Sequence, residues 1–256
     1  MKSLFAAVLL QVLCFPAGAQ SAEPGEVPRH LAIARELVDN VKPEDNRYVL
    51  GARSISFPGD LFSKKYSVQA DCSGFLLAIF DRANYPTQRQ MRYLEGGARR
   101  TRPASEDFVY SIEQEKGFRR IRSVEDMKPG DLLAHAMLDK ADQKEVGTTG
   151  HVFLINSVPK PIQPRPPVVQ GTRQYEVSVI DSNNEHVGAD DSRLADPAMK
   201  VAGLGRGTIR LYVDESGELV GWARTFRVAK SFFSYDPRFP SGTRPRKAAI
   251  GRPLQP

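Results

Sequence analysis

The chain has 256 residues, of which 41% are apolar, and carries a formal net charge of +6. That apolar fraction excludes a disordered chain, and the length suits one globular domain with additions. The positive balance suits an anionic surface such as a cell envelope. It would also suit nucleic acid, but no stretch interleaves basic and aromatic residues for base stacking, so no nucleic-acid partner is expected.

Lys2, the apolar run Leu4 to Phe15 and the small residues Ala17-Gly18-Ala19 read as a signal peptide over residues 1–19. The run is too short for a membrane span. The protein is therefore expected to be exported, to the periplasm or the extracellular envelope, with no integral membrane segment after cleavage. Cleavage removes Lys2 and Cys14, so the charge falls from +6 to +5 and 256 − 19 = 237 residues remain, with Cys72 as their single cysteine. A lone thiol in an exported protein is either an intermolecular partner or a reactive group.

Residues 20–44 are expected to form a polar lead and a helix. Leu31, Ile33, Ala34, Leu37 and Val38 share one face, and His30 is expected at the surface. Residues 45–235 form the expected main domain. Tyr48-Val49-Leu50-Gly51 precedes a loop that runs to Gln69. Asp71-Cys72-Ser73-Gly74-Phe75-Leu76-Leu77-Ala78-Ile79-Phe80 then reads as a buried helix, with Asp71 as its N-cap and apolar residues nearly all round. Gly74 weakens the helix and suits a close approach by another segment. Residues 87–122 carry eight arginines and read as one or two surface helices. After the turn Met127-Lys128-Pro129-Gly130-Asp131, strand signals dominate: Leu132 to Ala136, His151 to Ile155, Tyr175 to Asp181, Thr208 to Val213 and Leu219 to Arg227. The basic, proline-rich residues 236–256 are expected to be disordered. Helices first and an antiparallel sheet after them predict an α+β domain.

A cysteine nucleophile needs a base to take its proton and a third group to orient that base. Cys72 lies in a first helical turn, where unpaired N–H groups and the helix dipole favour a thiolate. His151 opens an apolar strand after Gly150 and is the leading base, ahead of His135, His186 and His30. Asp181 and His186 compete for the third position. Pairing His151 with Asp181 in an antiparallel hairpin also pairs Ser157 with Tyr175, which favours Asp181. Cys72, His151, Asp181 and His186 could together hold zinc, but close ligand pairs are absent, so no metal or other cofactor is expected.

Asp71-Cys72-Ser73-Gly74-Phe75, Pro129-Gly130-Asp131-Leu132 and Gly150-His151-Val152, in that order, resemble the NlpC/P60 family of papain-like cysteine peptidases. Tyr48-Val49-Leu50-Gly51 resembles a further segment of that family, and the match covers about residues 45–185. The resemblance implies a papain-like fold in which N-terminal helices, one of them carrying the nucleophile, pack on an antiparallel sheet. It implies a cysteine hydrolase of amide bonds in peptidoglycan stem peptides, which with the signal peptide makes the expected protein an exported one. Cys72 would be nucleophile, His151 base and Asp181 the third member, with Tyr48 and Ser73 beside the oxyanion or substrate. The gaps between Tyr48 and Cys72 and between Cys72 and His151 are stretched, and residues 188–228 have no counterpart in the family. Another amidase, deamidase or acyltransferase activity, and a catalytically idle envelope-binding protein, remain alternatives.

Overall fold

A computed structural model describes residues 26–61, 63–91, 102–195, 201–224, 232–234 and 246–255. The expected signal peptide lies outside them. Five helices are described: α1 (Arg29–Asn40), α2 (Cys72–Arg82), α3 (Thr87–Met91), α4 (Ser105–Glu113) and α5 (Lys140–Val146). A small sheet contains β1 (Asn46–Tyr48), β2 (Arg53–Ser56) and β3 (Ser67–Ala70), in the order β1-β3-β2. The remaining strands are β4 (Phe118–Ile121), β5 (Leu132–Met137), β6 (Gly150–Ile155), β7 (Lys160–Ile162), β8 (Arg173–Asn183), β9 (Gly203–Val213), β10 (Leu219–Ala223), β11 (Phe232–Ser234) and β12 (Arg246–Pro253). They form one antiparallel sheet in the order β11-β10-β9-β8-β6-β5-β12-β4, with β7 added on β8.

The fold is therefore β-rich, which corrects the expected α+β arrangement of helices packed on a sheet. The sheet curls until Ser123, just past β4, bridges Glu218, just before β10. Alternate residues of a strand point to opposite faces. Ala134, Ala136, Val152, Leu154 and Ile180 point outward, into a core shared with Leu31 and Leu37 of α1, Phe75 to Phe80 of α2 and Phe108 of α4. Leu133, Phe153, Ile155, Val177 and Val179 point inward, into a second core around Trp222 that strands and turns alone enclose.

Three further expectations change. Residues 246–253 are not a disordered tail but β12, paired to β5 on one side and β4 on the other. Two neighbouring strands satisfy its backbone, and that pairing leaves no local mark in a basic, proline-rich sequence. The arginine-rich stretch contains β4, and α4 buries Phe108, Val109 and Ile112. His30 is buried: its Nε2 lies 2.7 Å from the Gly130 carbonyl oxygen, and its ring packs on Phe80 and Tyr85. Burial pushes its pKa down to about 4, against the hydrogen bond to Gly130.

Candidate active site

The helix α2 begins where the sequence indicates. The Asp71 carboxylate caps it, accepting from Gly74 N–H at 2.7 Å and from the Ser73 hydroxyl at 3.0 Å. Its other oxygen accepts from Gly51 N–H at 2.7 Å and Arg102 at 3.0 Å. A Cβ on Gly74 would lie 2.0 Å from the Ala52 carbonyl oxygen, so the glycine is what lets the β1–β2 turn close over the helix start. Cys72 then occupies the first turn, whose backbone N–H groups have no intrahelical acceptor. It is a free thiol, 7% exposed, with Sγ 3.8 Å from the Ser105 hydroxyl.

His151 and Cys72 are close enough to act on each other electrostatically. Its Nε2 lies 2.8 Å from Asp181 Oδ2. With Nε2–H donating to the carboxylate, Nδ1 is the nitrogen left to receive the thiol proton. Burial opposes charge on Cys72. The His151 cation and the Ser105 hydroxyl outweigh burial and hold the thiol pKa below its ordinary value. Burial likewise opposes charge on His151, but Cys72 and Asp181 together raise its pKa. Asp181 is held at about 2: burial pushes upward, while Arg193 and His151 pull harder downward.

The hairpin register differs from the expected one by two residues. Leu154 pairs with Ile180 and Ile155 with Val179, so Asp181 stands diagonally from His151 rather than opposite it. A shift of two keeps both side chains on the inner face, so the contact survives. His186 makes no such contact with His151, whose partners are Cys72 and Asp181. His135 stands directly opposite His151 across β5 and β6, but its ring packs on Trp222 with centroids 4.7 Å apart.

A cleft of about 420 Å³ opens over Cys72. It is lined by Tyr48, Ser73, Ser105, Lys140, Lys144 and Thr148 among others. Tyr48 is brought there because β1 runs parallel to β3, the strand that leads into Cys72. Its phenol pKa is pushed up to about 12, first by burial and then by the charge of Cys72. Ser73 also lines the cleft, although its hydroxyl is tied to Asp71. Among the described residues no cluster of three or more His, Cys, Asp or Glu side chains is arranged to hold a metal ion.

Sequence reasoning missed Arg193. It is buried and donates to Asp181 Oδ1 at 2.9 Å, to Asp191 at 2.6 and 2.9 Å, and to the Gly203 carbonyl at 2.8 Å. A Cβ on Gly205 would lie 2.4 Å from its Nε. The alternation Gly203-x-Gly205-x-Gly207 was the readable signal, because glycine on one face of a strand marks a close approach. Asn183, which donates to Asp181 Oδ2 at 3.1 Å, and Ser105 were missed as well.

The geometry defines a class: a β-rich protein with a buried thiol lining a cleft and, behind it, an imidazole held by a carboxylate. No protein-family model matches the chain, and no solved structure matches it. An uncharacterized protein of Acanthamoeba polyphaga mimivirus is 30% identical over 165 residues, covering 60% of this chain and 67% of the viral protein. The chain belongs to the same family as that viral protein.

Proposed function

We propose that this protein is a cysteine hydrolase of amide bonds. The observation that carries the reading is the set Cys72–His151–Asp181, with Cys72 at a helix N-terminus and lining a cleft. In this reading His151 Nδ1 takes the thiol proton, and the Cys72 sulfur adds to the substrate carbonyl carbon. The Cys72 N–H stabilises the resulting oxyanion. The His151 cation then protonates the leaving amine as the C–N bond breaks, leaving an acyl-cysteine. Water, deprotonated by His151, releases the acid and restores the thiol. Asp181 keeps the imidazole in the tautomer this needs, and Arg193 keeps Asp181 ionised.

The substrate proposed is the stem peptide of peptidoglycan, with an exported location. Support comes from the resemblance of Asp71-Cys72-Ser73-Gly74-Phe75 and Gly150-His151-Val152 to the NlpC/P60 family. The nearness of thiol and imidazole argues against an idle binding protein. The test is incubation of the protein with peptidoglycan and mass spectrometry of the soluble products. New amino termini that vanish with Cys72→Ala support the reading. Unchanged peptidoglycan, or products made equally by Cys72→Ala, would overturn it.

A further inference from the structure

At the border of the large sheet, away from the thiol, a groove of about 450 Å³ is lined by Arg119, Arg120, Ile121, Arg122, Asp126, Lys128 and Arg252. β4 is three strands from β6 in the sheet order, a lateral distance of roughly 14 Å at normal strand spacing. The groove is therefore distinct from the cleft over Cys72.

Its charge is one-sided. Five cationic residues and a single acidic one, Asp126, line it. Arg252 is held by Asp131, at 2.7 and 2.8 Å, and by the Asp126 carbonyl at 3.0 Å. Among the described residues the side chains of Arg119, Arg120, Arg122 and Lys128 form no ion pair. The register also places Arg119 directly opposite Arg252 across β4 and β12. Like charges in that position destabilise a strand pair, and Asp131 offsets only the Arg252 half of this one. A fold keeps such a local conflict most readily where the site serves a function.

We propose that this groove binds a linear polyanion with closely spaced phosphate groups. Guanidinium groups match phosphate oxygens in pairs, and Arg119 and Arg120 on β4 with Arg122 just past its end suit a run of charges rather than a single ion. No aromatic side chain lines the groove, so it offers no stacking platform for bases. Its one apolar lining residue, Ile121, is buried, so nothing there can insert into a lipid surface.

The test uses the full chain and inorganic polyphosphate of about twenty phosphates, titrated calorimetrically at several salt concentrations. Saturable binding is expected. Arg119→Ser with Arg122→Ser should weaken it at least tenfold and lower the salt dependence by about two released ions. The same charge removed elsewhere, with Lys42→Ser and Lys64→Ser, should change affinity less than twofold. Both arginines are exposed, so the double variant should melt no lower than the parent. If it does not fold, Arg122→Ser alone, outside the strand, should still weaken binding about threefold. Single-stranded DNA of equal charge and vesicles of anionic phospholipid are the competing arms. No saturable binding, equal loss in the lysine control, or tighter binding to either competitor would each overturn the proposal.

Discussion

The outer and inner faces of the large sheet bury ionisable groups in opposite ways. On the outer face, under α1 and α2, His30 is surrounded by Phe80 and Tyr85 and meets one polar partner, the Gly130 carbonyl. It stays neutral, with a pKa near 4. On the inner face His151, Asp181 and Arg193 are as deeply buried, yet each holds charge through the next. Even there the solution is local. His135, opposite His151, has its pKa pushed well below the ordinary value by burial and by Arg246, His151 and Arg224. Depth alone does not decide ionisation; a charged partner within hydrogen-bond reach does.

The reading of the inner face breaks most readily at the thiol that α2 brings to His151. If the proposed hydrolysis is right, Cys72→Ala should lower it by about ten-thousandfold with little change in melting temperature, because the nucleophile is removed and a single buried atom of packing is lost. Residual hydrolysis within tenfold of the parent would show that the chemistry lies elsewhere. Next in size is Arg193→Ala, which leaves Asp181 and Asp191 buried without their cation. Denaturant unfolding should show a loss of about 3–5 kcal/mol. A loss below 1 kcal/mol would mean that the network contributes little to the fold.

The outer face makes its own prediction through pH. The folded pKa of His30 lies below the unfolded value of 6.5, so the unfolded chain binds the proton first on acidification. The contribution is fully present above pH 6.5 and is lost as pH falls through about 4, a change of about 3 kcal/mol. His151 acts with the opposite sign, since its folded pKa is raised. Subtracting the stability profile of His30→Gln from that of the parent isolates the outer-face contribution. A flat difference between pH 4 and 7 would show that His30 titrates normally.

The smallest effect sharpens the roles within the inner face. Asp181→Ala should slow the proposed acylation of Cys72 at least tenfold in burst kinetics, and slow alkylation of the thiol by iodoacetamide near neutral pH as well. His186→Ala should slow it less than twofold. If His186→Ala were the more damaging, the contact between His151 and Asp181 would not be the one that orients the base.

Much of this site was legible in local sequence. Asp71 three residues before Gly74 is a cap, Cys72 follows it into the first turn, and Gly74 marks a close approach. Each is a property of neighbouring residues along one helix, and each is found in the structure. His151 at the head of an apolar strand and Asp181 near the end of the partner strand share a face because side chains alternate with period two. That parity explains why the expected contact formed although the register was displaced by two residues.

The sequence by itself determined the features set by spacing within one element: the capped buried helix, the inward parity of His151 and Asp181, and the turn at Pro129-Gly130-Asp131. The tertiary structure decided whatever depends on residues far apart in the chain. Arg193 reaches Asp181 from a separate turn, Tyr48 reaches the cleft through a parallel strand pair, and β12 enters the sheet between β4 and β5. A strand's hydrogen bonds go to its neighbours and not to itself, so its own composition need not announce it. For that reason the chain is β-rich where its local patterns suggested helices on a sheet.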